Sequence, residues 1–65
     1  MPNNDYGVYR VEEGDALWVS TVSPLTEGDT EHAAKWSEQD AMNTATYLNG
    51  STDYTYFIGH VPKPH

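Results

Sequence analysis

Two alternating runs open the chain. From Tyr6 to Val11, Val8 and Arg10 fall on one face and Tyr9 and Val11 on the other, the period of a β-strand. Glu12-Glu13-Gly14-Asp15 reads as a turn, with Gly14 free to take positive φ. Ala16 to Val22 is rich in Val, Thr and Trp and predicts a second strand. Pro24 ends it, because proline has no N–H to give a ladder. The pattern therefore predicts a hairpin with strands at about residues 6–11 and 16–22.

Periodicity then fades. Thr26, Gly28, Asp29 and Thr30 are turn and cap residues, and Asp29 or Thr30 is a candidate cap for one helical turn through His32, Ala33 and Ala34. The segment 24–35 reads as a polar loop or a short helix, and its length marks it as a candidate functional loop.

The clearest element opens at Ser37, which has N-cap character. Asp40 stands in the capping-box position, and Trp36 and Ala41 have the spacing of a hydrophobic staple. Glu38 and Asp40 place negative charge at the positive end of the helix dipole. Ala41, Ala45 and Leu48 recur at helical spacing, with Met42 beside them, and Asn49-Gly50 supplies a stop. A helix over about 37–49 follows. Its stripe of small residues permits close approach to a sheet.

Thr52 to Val61 predicts a last strand, with Tyr54, Tyr56 and Ile58 on one face and Thr55, Phe57 and Val61 on the other. Both faces are largely apolar, the mark of a central strand or of one covered on both sides. Pro62 and Pro64 leave residues 62–65 as an extended tail. The expected fold is α+β, β-β-α-β. A three-stranded antiparallel sheet of order 2-1-3 carries one helix on one face and nothing on the other.

The chain has 65 residues and reads as one domain over residues 1–65. A core of this size supplies no more than roughly 3–5 kcal/mol of net stability. There is no Cys, so disulfides and thiolate metal sites are excluded, and a partner subunit is the most plausible aid. Two Trp, five Tyr and one Phe argue for a folded chain rather than a disordered acidic one. No apolar run reaches the roughly 18 residues that span a membrane. The first residues, Met1-Pro2-Asn3-Asn4-Asp5, lack the basic and apolar stretches of a signal peptide, the initial Met suggests a complete small protein rather than an excised domain, and the absence of Cys fits a reducing cytoplasm.

Charge excludes more than it identifies. Ten Asp and Glu against three Lys and Arg give a formal net charge of -7. Such a chain repels phosphate backbones and anionic membrane surfaces, so neither nucleic acid nor membrane is expected as a direct partner.

The succession Tyr6-Gly7-Val8-Tyr9-Arg10-Val11, Leu17-Trp18-Val19-Ser20, Trp36-Ser37-Glu38-Gln39-Asp40-Ala41 and Tyr47-Leu48-Asn49-Gly50, closed by a strand, resembles small phage- and prophage-encoded proteins of Gram-positive bacteria. It spans most of the chain outside 24–35. What the resemblance implies is a cytoplasmic accessory protein rather than a metabolic enzyme, and it assigns no role to any residue.

Catalytic signatures are missing. There is no phosphate-cradling glycine loop and no HExxH motif. His32, His60 and His65 match no zinc spacing. The nearest approach to a metal site is His32 and His60 meeting Asp29 or Glu31; no metal or cofactor is expected. Ser20, Ser23, Ser37 and Ser51 are nucleophiles by type only, Ser37 is used as a cap, and so small a sheet has little material for a pocket. An enzyme is not expected.

Two readings of function remain. Tyr and Trp are enriched at interface hot spots, and one helix cannot cover them all, so Tyr9, Trp18, Tyr54 and Tyr56 are a candidate protein interface on the sheet face away from the helix. This reading makes the chain a non-catalytic interaction or accessory protein that self-associates, most simply as a dimer. In the alternative, Glu12, Glu13 and Asp15 at the hairpin tip and Glu27, Asp29 and Glu31 in the loop form acidic patches. They would mimic DNA and inhibit a nucleic-acid-binding protein, such as one of host defence.

Overall fold

Glu13 and Gly14 have φ of 53° and 84°, the paired positive values of a two-residue hairpin turn matched to strand twist. They join β1 (Tyr6–Glu12) to β2 (Asp15–Val22) in a computed structural model that describes residues 4–62. Tyr9 stands opposite Trp18, Arg10 opposite Leu17, Val11 opposite Ala16 and Glu12 opposite Asp15.

The sheet has four strands, not the expected three, and its order is β3-β2-β1-β4. β3 (Leu25–Gly28) arises inside the segment expected to be loop or helix. Its hold on β2 depends on a bulge. Val19 pairs with Glu27 and Thr21 with Thr26, leaving Ser20 as the extra residue. The extra residue shifts the alternation, so Val19 and Val22 both turn to the core, and Leu25 joins them there. The Thr26 hydroxyl lies 2.6 Å from that of Ser20 and 2.7 Å from that of Thr21, and so knits the two strands around the bulge.

Beyond Trp18, β1 and β2 diverge, and residues 34–36 enter between them. The Ala34 N–H donates to the Val19 carbonyl at 3.0 Å, and Trp36 exchanges both backbone hydrogen bonds with Tyr6 at 2.7 and 3.0 Å. The chain after β3 is thereby tied back to the sheet just before the helix.

Helix α1 spans Glu38–Ser51. Ser37 caps it, its hydroxyl accepting from the Asp40 N–H at 3.2 Å. Ala41, Ala45 and Leu48 are the buried positions, as their spacing predicts, and they pack with Val8, Val19 and Tyr56. Val8, Val19 and Leu48 are almost wholly enclosed, and each contributes about 1.5–3 kcal/mol of burial free energy. The expected stop at Asn49-Gly50 is two residues too early. Gly50 is helical, and Thr52 closes the helix by donating its N–H and its hydroxyl to the Leu48 carbonyl at 2.9 and 2.8 Å.

The last strand, expected over 52–61, is confined to β4 (Phe57–His60) and pairs antiparallel with β1. Asn49 accounts for the late start. Its Oδ1 accepts the Tyr56 N–H at 2.6 Å and its Nδ2 donates to the Tyr56 carbonyl at 3.3 Å, so the helix end engages that backbone before the ladder begins. Of the expected tail, Pro62 is described, and 63–65 lie outside the described residues.

Candidate protein interface

Cross-strand partners share a face, and neighbours along a strand alternate. Val8 and Val19 face the helix. Tyr9, Trp18 and Phe57 therefore lie on the opposite face, where Tyr9 pairs with both of the others. Their rings make a row with centroid distances of 4.8 Å for Tyr9–Trp18 and 5.7 Å for Tyr9–Phe57. Both contacts are tilted, within the range aromatic pairs favour.

One end of the row is closed. Trp18 is buried, with its indole over Gly7 and next to Val61: a Cβ on Gly7 would stand 2.8 Å from Trp18 Cε3 and 2.6 Å from Val61 Cγ2. The Val61 N–H holds that segment down by donating to the Asp5 carbonyl at 2.8 Å. The other end is open. Phe57 is 47% exposed and Val11 55% exposed, with half-buried Tyr9 between them.

The four aromatics expected together are thus divided between the faces. Tyr9 and Trp18 do share the face away from the helix. Tyr56 is buried in the helix-side core, where its hydroxyl donates to Glu27 at 2.8 Å. Tyr54 is exposed and lies under the Arg10 guanidinium, 3.9 Å from Cζ to ring centroid, on the Arg10 side of the sheet. Tyr54, Tyr56 and Ile58 do keep to one side, opposite Phe57, but that side faces the helix. Phe57 and Val11 supply the exposed surface that Tyr54 and Tyr56 were expected to give. Phe57 was readable as lying opposite Tyr54 and Tyr56; which of the two sets faced outward was not.

The acidic patches fare unequally. Glu12, Glu13 and Asp15 are exposed at the hairpin tip, and Asp29 and Glu31 are exposed after β3. Glu27 is not available: its side chain is 15% exposed and accepts from Arg10 Nε at 2.9 Å. That bond, with help from Glu12 at 3.1 Å, raises the Arg10 pKa and keeps the guanidinium charged. Burial, then the bond to Glu27, raises the Tyr56 hydroxyl above its ordinary value.

Asp29, Glu31 and His32 bring donor atoms within 4.8 Å of one another, all on exposed side chains. Asp29 Oδ1 accepts the His32 N–H at 3.1 Å and lies 2.9 Å from His32 Nδ1. His60 does not join them; its Nδ1 is 3.3 Å from Asp5 Oδ2 and its ring lies tilted against that of Tyr6, with centroids 4.2 Å apart. The described residues enclose no pocket, and no helix among them is long and apolar enough to cross a membrane.

Comparison with protein-family models, with curated proteins and with solved structures finds no match for this chain.

Proposed function

We propose that the protein is a non-catalytic interaction module that binds a protein partner through the sheet face opposite the helix. The observation that carries this reading is the half-open aromatic row. Its Trp18 end is packed and rigid, while Phe57, Tyr9 and Val11 remain accessible. Rigid aromatic anchors beside a packed floor are the usual makings of a hot spot. The resemblance to small phage- and prophage-encoded proteins agrees with an accessory role in the cytoplasm.

The same face is the natural surface for a dimer. A dimer juxtaposes two chains of charge -7, so added salt favours it by screening their repulsion. The DNA-mimic reading retains Glu12, Glu13, Asp15, Asp29 and Glu31 but loses Glu27 to Arg10.

The test is capture from a host lysate with three baits. These are the parent chain, Val11→Ser with Phe57→Ser, and Met42→Ser with Tyr47→Ser on the exposed helix surface. A protein bound by the first and third baits and lost with the second supports the reading. Equal capture by all three overturns it.

A further inference from the structure

β4 is an edge strand of the sheet, and the direction of each backbone group along it follows from its neighbours. Tyr6 exchanges both backbone hydrogen bonds with Trp36, on the side of β1 away from β4. The Val61 N–H donates to the Asp5 carbonyl at 2.8 Å, on the side toward β4. Backbone groups alternate in direction along an antiparallel strand. Gly7 with Gly59 and Tyr9 with Phe57 are therefore the pairs that exchange hydrogen bonds between β1 and β4. Ile58 and His60, opposite Val8 and Tyr6, turn their N–H and C=O groups outward. No other backbone pairs with them among the described residues.

This outward row is bounded at both ends. Before it, the side chain of Asn49 holds the N–H and the carbonyl of Tyr56. After it, Pro62 has no N–H to donate. Two donors and two acceptors remain, placed symmetrically about Gly59. β3, the other edge, is bent by the bulge at Ser20 and carries Glu27, and a bulge blunts an edge. The β1–β4 register is unbroken.

We infer that β4 pairs antiparallel with β4 of a second copy about a two-fold axis at Gly59. Ile58 then stands opposite His60 of the second copy, and His60 opposite its Ile58, so all four outward groups are bonded. An axis at Ile58 would set His60 against Tyr56, whose backbone Asn49 already holds. An axis at His60 would set Ile58 against Pro62, which lacks a donor. With the axis at Gly59, the glycine faces itself in the closely spaced pair, where Cα atoms approach to about 4.5 Å and no side chains meet. Phe57, 47% exposed, gains Val61 of the second copy as a cross-strand neighbour on its own face.

Local charge does not oppose this contact. Residues 54–62 contain no Asp or Glu, and the carboxylate that reaches the strand, Asp5, lies 3.3 Å from His60 Nδ1. The remaining repulsion between two chains of charge -7 is long-ranged and falls with added salt. The inference goes beyond the docking face proposed above. A face-to-face dimer and a protein partner compete for one surface, whereas edge pairing leaves both aromatic rows uncovered, on one side of the joined sheets.

So short an edge makes a small interface, and a dissociation constant on the order of 100 μM is expected. Sedimentation equilibrium of the full chain at concentrations around that value reads it. Amide exchange should slow with concentration at Ile58 and His60, while Gly59, bonded to β1 already, should not change. Gly59 has no positive φ, and a Cβ there stands 3.5 Å from Tyr9 Cε1, an ordinary contact, so a side chain fits the single chain. Gly59→Ala should keep the dimer. Gly59→Asp sets two carboxylates against each other across the axis and should weaken association about fivefold. A synthetic chain N-methylated at the His60 amide keeps every side chain but loses two of the four bonds, and its association should weaken on the order of tenfold or more. Val11→Ser, on the open face, should change nothing. Circular dichroism of each form keeps a folding defect from passing as an association defect.

A parent chain that stays monomeric at about tenfold above the expected constant overturns the inference. So does a dimer that Gly59→Asp and N-methylation leave unchanged. A dimer that Val11→Ser breaks lies on the open face instead, which overturns the edge pairing and leaves the interaction reading of that face standing.

Discussion

Arg10 Nε donates to the Glu27 carboxylate at 2.9 Å across two strands that are not neighbours in the sheet. The two side chains meet on the helix side across β2, where Leu17 is the register partner of Arg10 and Val19 that of Glu27. Glu27 also accepts the Tyr56 hydroxyl at 2.8 Å, so one carboxylate joins β1, β3 and the segment after the helix.

Removing one partner of such a pair strands the other. Arg10→Ala should therefore lower the melting temperature more than Glu27→Gln, which keeps an acceptor for both Arg10 and Tyr56. Arg10→Met combined with Glu27→Met should recover part of the loss, because apolar contact replaces the pair. Tyr56→Phe should cost about 1 kcal/mol by leaving Glu27 one donor short. Thermal melts of the four variants check the order, and equal melting of Arg10→Ala and the parent would remove the pair from the account of stability.

Gly7 sets the approach of Trp18 and Val61 on the opposite face. With a Cβ falling 2.6 Å from Val61 Cγ2 and 2.8–2.9 Å from the indole, Gly7→Ala must displace one of them. The indole ring is stiff and also packed on Tyr9, so Val61 should give way. The expected cost is about 1–3 kcal/mol, the range for overpacking. NMR should show the Val61 amide losing its protection from exchange while the helix amides keep theirs.

Gly50 should respond in the opposite sense. It lies inside α1, without positive φ, and a Cβ there meets nothing within 4 Å. Gly50→Ala should stabilise the protein by about 0.4–1 kcal/mol, largely by restricting the unfolded chain. A denaturant titration reads this directly. A loss of stability would mean that the helix ends before Gly50.

How far the sequence could be read follows from how local each determinant is. The hairpin, the Ser37 cap and the Ala41–Ala45–Leu48 stripe depend on residues close together in the chain, and all are found where their pattern places them. β3 was hidden because its partner register needs a bulge at Ser20, which breaks strict alternation. The late start of β4 was hidden because it depends on Asn49 holding the backbone of Tyr56, seven residues on. Glu27 looked like one more surface acid, since its partner Arg10 is 17 residues away. Two outcomes altered the candidate site. Tyr54 and Tyr56 left the open face because which side of the last segment turns to the helix was not legible in its alternation, and the bond to Arg10 removed Glu27 from the acidic patch.

The loop after β3 makes a prediction that depends on pH. Asp29 Oδ1 holds both the His32 N–H and the His32 ring, and this bond, then the charges of Asp29 and Glu31, raise the His32 pKa above its ordinary value of about 6.5. The same contacts lower the Asp29 carboxyl below its ordinary range of about 3.9. A raised imidazole stabilises the folded loop fully below about pH 6.5, and the contribution is lost as pH rises through the raised value. A lowered carboxylate stabilises it above about pH 3.9, and that contribution is lost as pH falls through the lowered value. The loop should accordingly be best ordered in mildly acidic solution, and less so at high salt, because both groups are exposed. An NMR titration of the His32 ring should find a midpoint above the ordinary value in the parent. Asp29→Asn retains an oxygen for the His32 N–H but removes the charge, so it should return the midpoint toward about 6.5. Glu31→Gln should lower it by less, since Glu31 acts on the ring through space and not through a hydrogen bond. A parent His32 that titrates at the ordinary value, or one that Asp29→Asn leaves unmoved, would show that the pair does not persist in solution.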